Sequence, residues 1–166
     1  MPWLTPDEHT RRVEAARDIA LRRLDRCAAP RAVLARTLER RGVDPRAAQE
    51  ALDRLEAAGV VDDRAYAAAL ARTRFVEKGA ARRAIAEELR LKGVGEGPIR
   101  AALTQVDDED EAAAALALAR RKLAATRGLD PDVRRRRALA LLGRKGYSAT
   151  AAADAVDAAW AEAEGA

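Results

Sequence analysis

One short block recurs three times along the chain: Leu38-Glu39-Arg40-Arg41-Gly42-Val43, then Leu89-Arg90-Leu91-Lys92-Gly93-Val94, then Leu142-Gly143-Arg144-Lys145-Gly146-Tyr147. The glycines lie 51 and 53 residues apart, so the chain holds three copies of one unit. A period of this size marks a repeat protein, in which each unit buries too little surface alone and is completed by its neighbours.

Each copy reads as three helices. In the first, Val13, Ala16, Ala20, Leu24 and Cys27 fall at steps of three and four and form one apolar stripe, which makes Cys27 a core filler. Pro30 marks the next start, Leu34 and Leu38 face inward, and Gly42 ends the second helix by taking a left-handed conformation. Asp44, Gly95 and Ser148 then occupy equivalent positions that suit an N-cap. The third helices bury Ala51-Leu52, Ala102-Leu103 and Ala155-Val156. First helices of the later copies open at Asp62-Asp63, with Tyr66, Ala69, Leu70 and Thr73 on one face, and at Asp107 to Glu111, with Ala112, Ala115, Leu116, Ala119 and Leu123 inward. Boundaries of 11–61, 62–106 and 107–161 follow, with residues 1 to 10 and the tail after Trp160 expected to be loosely held. The fold class is all-α, three tandem three-helix repeats, and composition agrees: alanine supplies 43 of 166 residues and only 5 are aromatic.

Catalytic chemistry finds little to work with. His9 is the only histidine and Ser148 the only serine, so a Ser-His-Asp arrangement cannot be assembled, and Cys27 is the only cysteine, which excludes an internal disulfide or a multi-cysteine zinc site. Asp107 to Glu111 lacks the glycine turn of a calcium loop and is read as a helix start that complements the macrodipole, and Asp62-Asp63, a pair that could suggest acid-base work, is read as a helix cap. Gly93-Val94-Gly95-Glu96-Gly97 follows no strand and is read as a turn rather than a phosphate loop. No enzyme, cofactor or metal is expected. No 18-residue apolar run and no signal-like start occur, so the expectation is a cytoplasmic protein without a membrane span.

Charge is the informative property. The net is +4, and by copy the basic and acidic counts are 12 and 10, 9 and 6, and 10 and 11 over residues 1–61, 62–106 and 107–166, so the middle copy is the most basic. A helix-turn-helix reading would send the third helix into a DNA groove, yet the third copy's last helix carries Asp154, Asp157, Glu162 and Glu164 with no basic residue, and phosphate would repel it. The repeat offsets instead place Arg23, Arg74 and Arg127 in one register near the end of the first helix. Arg31, Arg82 and Arg135 fall in another, near the start of the second, thickened by Arg83, Arg134, Arg136 and Arg137. Positions repeated in every copy trace a line along a stacked array. Arg41, Lys92 and Lys145 need no partner, because cations suit helix C-termini. Cations at a helix start oppose the dipole, so the second register is expected to meet something anionic.

The order Asp62-Asp63, Tyr66-Ala67, Arg74, Gly79, Arg82, Leu89, Lys92-Gly93-Val94 and Ala102-Leu103 resembles the central signature of the RecX regulatory proteins, bacterial modulators of the RecA recombinase. Segments Ala20 to Leu34 and Arg135 to Ser148 are similar to the first and third family repeats, so the resemblance runs from about residue 11 to 160. Pro30 and Val33 depart from it where the family often has a hydroxyl residue and a glutamate, as does Leu70 where an aromatic is frequent. The resemblance implies an elongated, curved molecule lying in the groove of the RecA-DNA filament. It also implies restraint of ATP hydrolysis, strand exchange and coprotease activity, and hence of DNA repair, recombination and the SOS response. The expected partner is the RecA filament, with single- and double-stranded DNA bound weakly by a monomer. The contact surface is expected at Arg23, Arg31, Arg74, Arg82, Arg83, Lys92, Arg127, Arg134 and Arg135. The alternative is a sequence-nonspecific nucleic-acid-binding helical repeat protein, which would bind bare DNA tightly and lose it steeply with salt.

Overall fold

The computed structural model describes residues 7–164, and all regular structure among them is helical. The helices are α1 (Glu8–Arg26), α2 (Arg31–Arg40), α3 (Pro45–Ala57), α4 (Asp63–Arg72), α5 (Arg82–Leu91), α6 (Glu96–Leu103), α7 (Asp108–Ala125), α8 (Pro131–Arg144) and α9 (Ala149–Glu164). A wider π-helical turn, Thr73–Glu77, extends α4, a feature the periodicity does not announce. Three three-helix repeats result. The chain divides into two compact units, one built from residues up to Ala67 with Leu89–Ile99, the other from Ala68–Glu88 with residues from Arg100 on.

Why the same block recurs is now physical. Gly42, Gly93 and Gly146 have φ of +70°, +84° and +93°, the region glycine enters without a Cβ penalty. The amide after each glycine then turns back onto the leucine four residues before it: Val43 N–H donates to Leu38, Val94 to Leu89 and Tyr147 to Leu142, at 3.1, 3.0 and 3.2 Å. Those leucines are fully buried. One residue thus anchors both the turn and the core.

In the first unit α1 packs chiefly on α3, with Val13, Ala16, Ala20, Leu34, Leu38, Ala51 and Leu52 in the core. In the second, α7 packs chiefly on α9 around Ala115, Leu118, Ala119, Leu142 and Val156. Removing a buried leucine such as Leu38 to alanine costs about 2–5 kcal/mol in cores of this kind.

Successive repeats meet in one recurring way. A Cβ added to Gly93 would lie 2.5 Å from the Cβ of Ala32, and one added to Gly146 would lie 2.5 Å from that of Ala84, so the end of each second helix rests on the second helix of the preceding repeat. The carbonyl before each glycine is bonded there: Lys92 accepts from Arg36 Nη2 at 3.3 Å, and Lys145 from the Ala81 N–H at 2.8 Å. A Cβ added to Gly42 meets nothing within 4 Å.

Some sequence expectations change. Cys27 is exposed at the C-cap of α1 rather than buried, because α1 ends at Arg26 and position 27 has already left the helix. Ala69 and Ala112 face solvent, while Ala67, Ala71 and Leu118 take the inner positions. Residues 7–10 and 161–164 are more ordered than expected, while residues 1–6 and 165–166 lie outside the described residues. Asp7 caps α1 by accepting from the Thr10 N–H at 2.7 Å, His9 Nε2 lies 2.7 Å from Glu50 Oε2, and α9 continues to Glu164. Glu96 and Gly97 belong to α6, so the expected turn narrows to residues 93–95.

Candidate functional site

Arg31, Arg82 and Arg135, in one register at the start of the second helices, each already hold a carboxylate of their own chain. Arg31 bonds Asp53 and Glu56 of α3 at 2.5 and 2.7 Å, and Arg135 bonds Asp157 of α9. Asp53 and Asp157 are register equivalents, so these two bridges are one interaction written twice. In the middle repeat the same position is Thr104, which carries no charge, and Arg82 turns to Asp108 and Glu111 of α7 instead. The hydrogen bond that Arg82 donates to Asp108, with Glu111 beside it, holds its guanidinium above its ordinary range. The anion expected opposite this register is therefore internal, at least in part, and the offsets applied to aspartates would have disclosed it.

The acidic helix starts do more than cap themselves. Asp62 accepts from Ala65 N–H at 2.9 Å, and Asp107 and Asp110 form a reciprocal capping box. Helices α2 and α5, by contrast, follow Pro30 and Ala81, whose side chains have no acceptor to offer. Their first amides are taken by the next repeat: Arg31 N–H donates to Asp63 at 2.8 Å and Arg82 N–H to Glu111 at 2.7 Å. These carboxylates bring negative charge to positive helix ends, and Glu111 also pairs with the Arg82 guanidinium. Helix α8 caps itself, its Asp130 accepting from Asp132 N–H at 2.9 Å.

The remaining candidate residues divide by environment. Arg23 Nη1 donates to the Cys27 carbonyl at 3.0 Å, closing the end of α1. Arg74 forks onto both oxygens of Glu88 at 2.7 Å each. Lys92 is half-buried at the first junction. Arg134 is turned inward, its guanidinium 4.8 Å from the Trp160 ring centroid and its Nη2 3.0 Å from the Leu123 carbonyl, which removes it from the exposed line the spacing suggested. Arg83 and Arg127 are exposed and, like the flanking Arg136 and Arg137, have no ion-pair partner among the described residues.

Two cavities collect these side chains. Arg82 and Arg83 stand at the edge of a cleft of about 630 Å³ floored by Ala112, Ala115 and Ala155. Arg127 and Arg134 border a smaller one of about 260 Å³. Tyr147 reaches from the first cleft across the second junction, donating to the Gly79 carbonyl at 3.0 Å, and burial with Glu111 nearby pushes its hydroxyl up to about 12. No cluster of three potential metal ligands occurs among the described residues, and no described helix is long and apolar enough to cross a membrane.

The chain has known relatives. Residues 62–103 match the profile of the second three-helix domain of RecX and residues 108–156 that of the third. Regulatory protein RecX of Streptomyces coelicolor is 47% identical over 136 residues, which cover 82% of this chain and 72% of that protein. The chain belongs to the RecX family. Regulatory protein RecX of Thermobifida fusca is 45% identical over 134 residues, 81% of this chain and 72% of its own. A crystal structure of a regulatory protein RecX superposes with a TM-score of 0.75 at 25% identity, covering 91% of this chain and 78% of that one. RecX from Lactobacillus salivarius gives the same TM-score at 18% identity, covering 92% and 96%, and supports the RecX fold alone. That these relatives are named regulatory proteins agrees with a regulatory role for this RecX family member.

Proposed function

We propose that this chain binds the filament RecA forms on DNA and restrains it, lowering ATP hydrolysis, strand exchange and coprotease activity. Membership of the RecX family carries the reading. The geometry supports it through Arg83, Arg127, Arg136 and Arg137, cations with no ion-pair partner among the described residues and therefore available to an outside anion. Arg31, Arg82 and Arg135 act differently in this proposal: bound to internal carboxylates, they hold the frame from which their neighbours project. Charge contacts of the exposed kind govern encounter and register more than tight affinity. The binding residues proposed are thus Arg83 and Arg127, together with Lys92 of the first unit, with DNA bound weakly by a monomer in the cytoplasm.

The test is DNA-dependent ATP hydrolysis by the cognate recombinase with the chain carrying Arg83→Glu and Arg136→Glu. A folded variant that has lost inhibition supports the proposal. Undiminished inhibition removes both residues from it. Comparing bare single strands with recombinase-coated strands separates filament binding from direct nucleic-acid binding, since only the latter is tight on bare DNA and falls steeply with salt.

A further inference from the structure

At the far end of the third repeat, three guanidinium groups surround one small space. Arg120, Arg127 and Arg134 border the cavity of about 260 Å³, with Leu123 and Ala159 among its apolar lining. Arg120 forks onto both oxygens of Glu162 at 2.6 Å each, a bond that holds the Glu162 carboxyl below its ordinary range and the Arg120 guanidinium above its own. Arg134 lies against Trp160 and donates one N–H to the Leu123 carbonyl. Its Nε is buried without a hydrogen-bond partner among the described residues. Arg127 is exposed and has no ion-pair partner there.

The lining therefore sets three cations against one carboxylate. Each guanidinium offers five N–H donors and no acceptor, so the pocket holds a surplus of donors that Glu162 and one carbonyl do not absorb. Clamping α9 to α7 accounts for Arg120, and stacking accounts for Arg134, but neither accounts for Arg127. An oxyanion with several lone pairs is the chemical complement, and the planar fork of arginine matches phosphate geometry. We infer that this pocket takes a phosphate-class oxyanion, with Arg127 closing on it and Arg120 and Arg134 as fixed walls. The lining holds no aromatic face and no Asn or Gln to read a base edge, so recognition stops at the phosphate and is blind to sequence. The inference deepens the filament proposal and rests on it for the source of the phosphate, a DNA backbone.

Trp160 provides the readout. The chain has two tryptophans, so Trp3→Phe leaves emission from Trp160 alone, with Arg134 against its ring. The Trp3→Phe chain is titrated at low salt with an oligothymidylate, with ATP and with inorganic phosphate. A saturable emission change with the oligonucleotide assigns the site to a nucleic-acid backbone, and a change with ATP or phosphate alone assigns it to a free anion. Either supports an oxyanion site. Arg127→Ala is expected to weaken the response about tenfold, the loss of one charge-assisted bond, and Arg127→Lys to retain most of it. Silence toward all three ligands overturns the inference, as does an Arg127→Ala chain that responds like its parent. Recombinase inhibition, measured on the same chains, keeps the two proposals apart. Inhibition with a silent Trp160 overturns the pocket alone, and a responding Trp160 without inhibition overturns the filament proposal alone.

Discussion

Ala84 occupies the space that a side chain on Gly146 would need, a built Cβ at 146 lying 2.5 Å from the Ala84 Cβ and 3.0 Å from its backbone nitrogen. Gly42 has a similar φ and open space around it, so the two glycines separate conformational strain from crowding. Gly42→Ala is expected to cost about 1–2 kcal/mol through the left-handed backbone alone. Gly146→Ala adds an overpacking cost of about 1–3 kcal/mol, and Ala84→Gly in the same chain recovers part of that excess. Urea denaturation of the four chains measures the coupling, and equal costs for the two glycines would remove the close approach from the account.

The carboxylates that reach back from one repeat to the previous one give a second expectation. Asp63→Ala removes the acceptor of the Arg31 amide and is expected to cost about 1 kcal/mol, as loss of a helix cap does. Glu111→Ala removes the acceptor of an amide and the partner of a half-exposed arginine together, and is expected to cost about 2 kcal/mol after allowance for solvent screening. Denaturation midpoints check the order. If Asp63→Ala proved the costlier, the second partner of Glu111 would contribute nothing.

Arg82 and Arg83 are adjacent in sequence yet predicted to fail in different assays. Arg82→Glu places a carboxylate against Asp108 and Glu111 and is expected to lower the unfolding midpoint clearly. Arg83→Glu, exposed and without an ion-pair partner among the described residues, should leave stability within about 0.5 kcal/mol while weakening recombinase inhibition. A thermal scan beside the ATP hydrolysis assay distinguishes them, and the reverse pattern would reverse the roles assigned to the pair.

Tyr147 sets the alkaline limit. Its folded value is about 12 against an ordinary 10, so the unfolded chain releases this proton first, and the stability tied to the neutral phenol is complete below pH 10 and lost as pH rises toward 12. The contribution is up to about 3 kcal/mol. Tyr147→Phe forfeits the bond to Gly79, roughly 1 kcal/mol at neutral pH, and flattens the profile between pH 10 and 12. Denaturation midpoints across that window, with and without the hydroxyl, read both effects. An unchanged slope would mean that the phenol is solvated in the folded state.

Much of this architecture is legible in the residues because one physical requirement repeats. Leu38, Leu89 and Leu142 are buried and each is followed four places later by a glycine. The positions of Arg31, Arg82 and Arg135 were legible for the same reason. Their partners were less so: Asp53 and Asp157 share a register, but Thr104 interrupts it, and Asp63 and Glu111 sit on first helices whose spacing is not constant. Arg134 was misplaced because spacing reports where a side chain starts, whereas Trp160, 26 residues further on, decides where it ends. Cys27 was misplaced by continuing a stripe one step beyond the last helical turn.

Asp130 carries a consequence for how many modules such a chain accommodates. Helices α2 and α5 begin on residues that leave an amide for a successor to claim, whereas α8 satisfies its own. Where α2 and α5 present Ala32 and Ala84 to an incoming glycine, the matching places of α8 carry Arg136 and Arg137. Splicing a fourth module after α9 would therefore find no seat, and growth would first require residue 130 to surrender its carboxylate and those two arginines to shrink. The seat that α2 and α5 offer to a following helix end is thus missing from the first turn of α8.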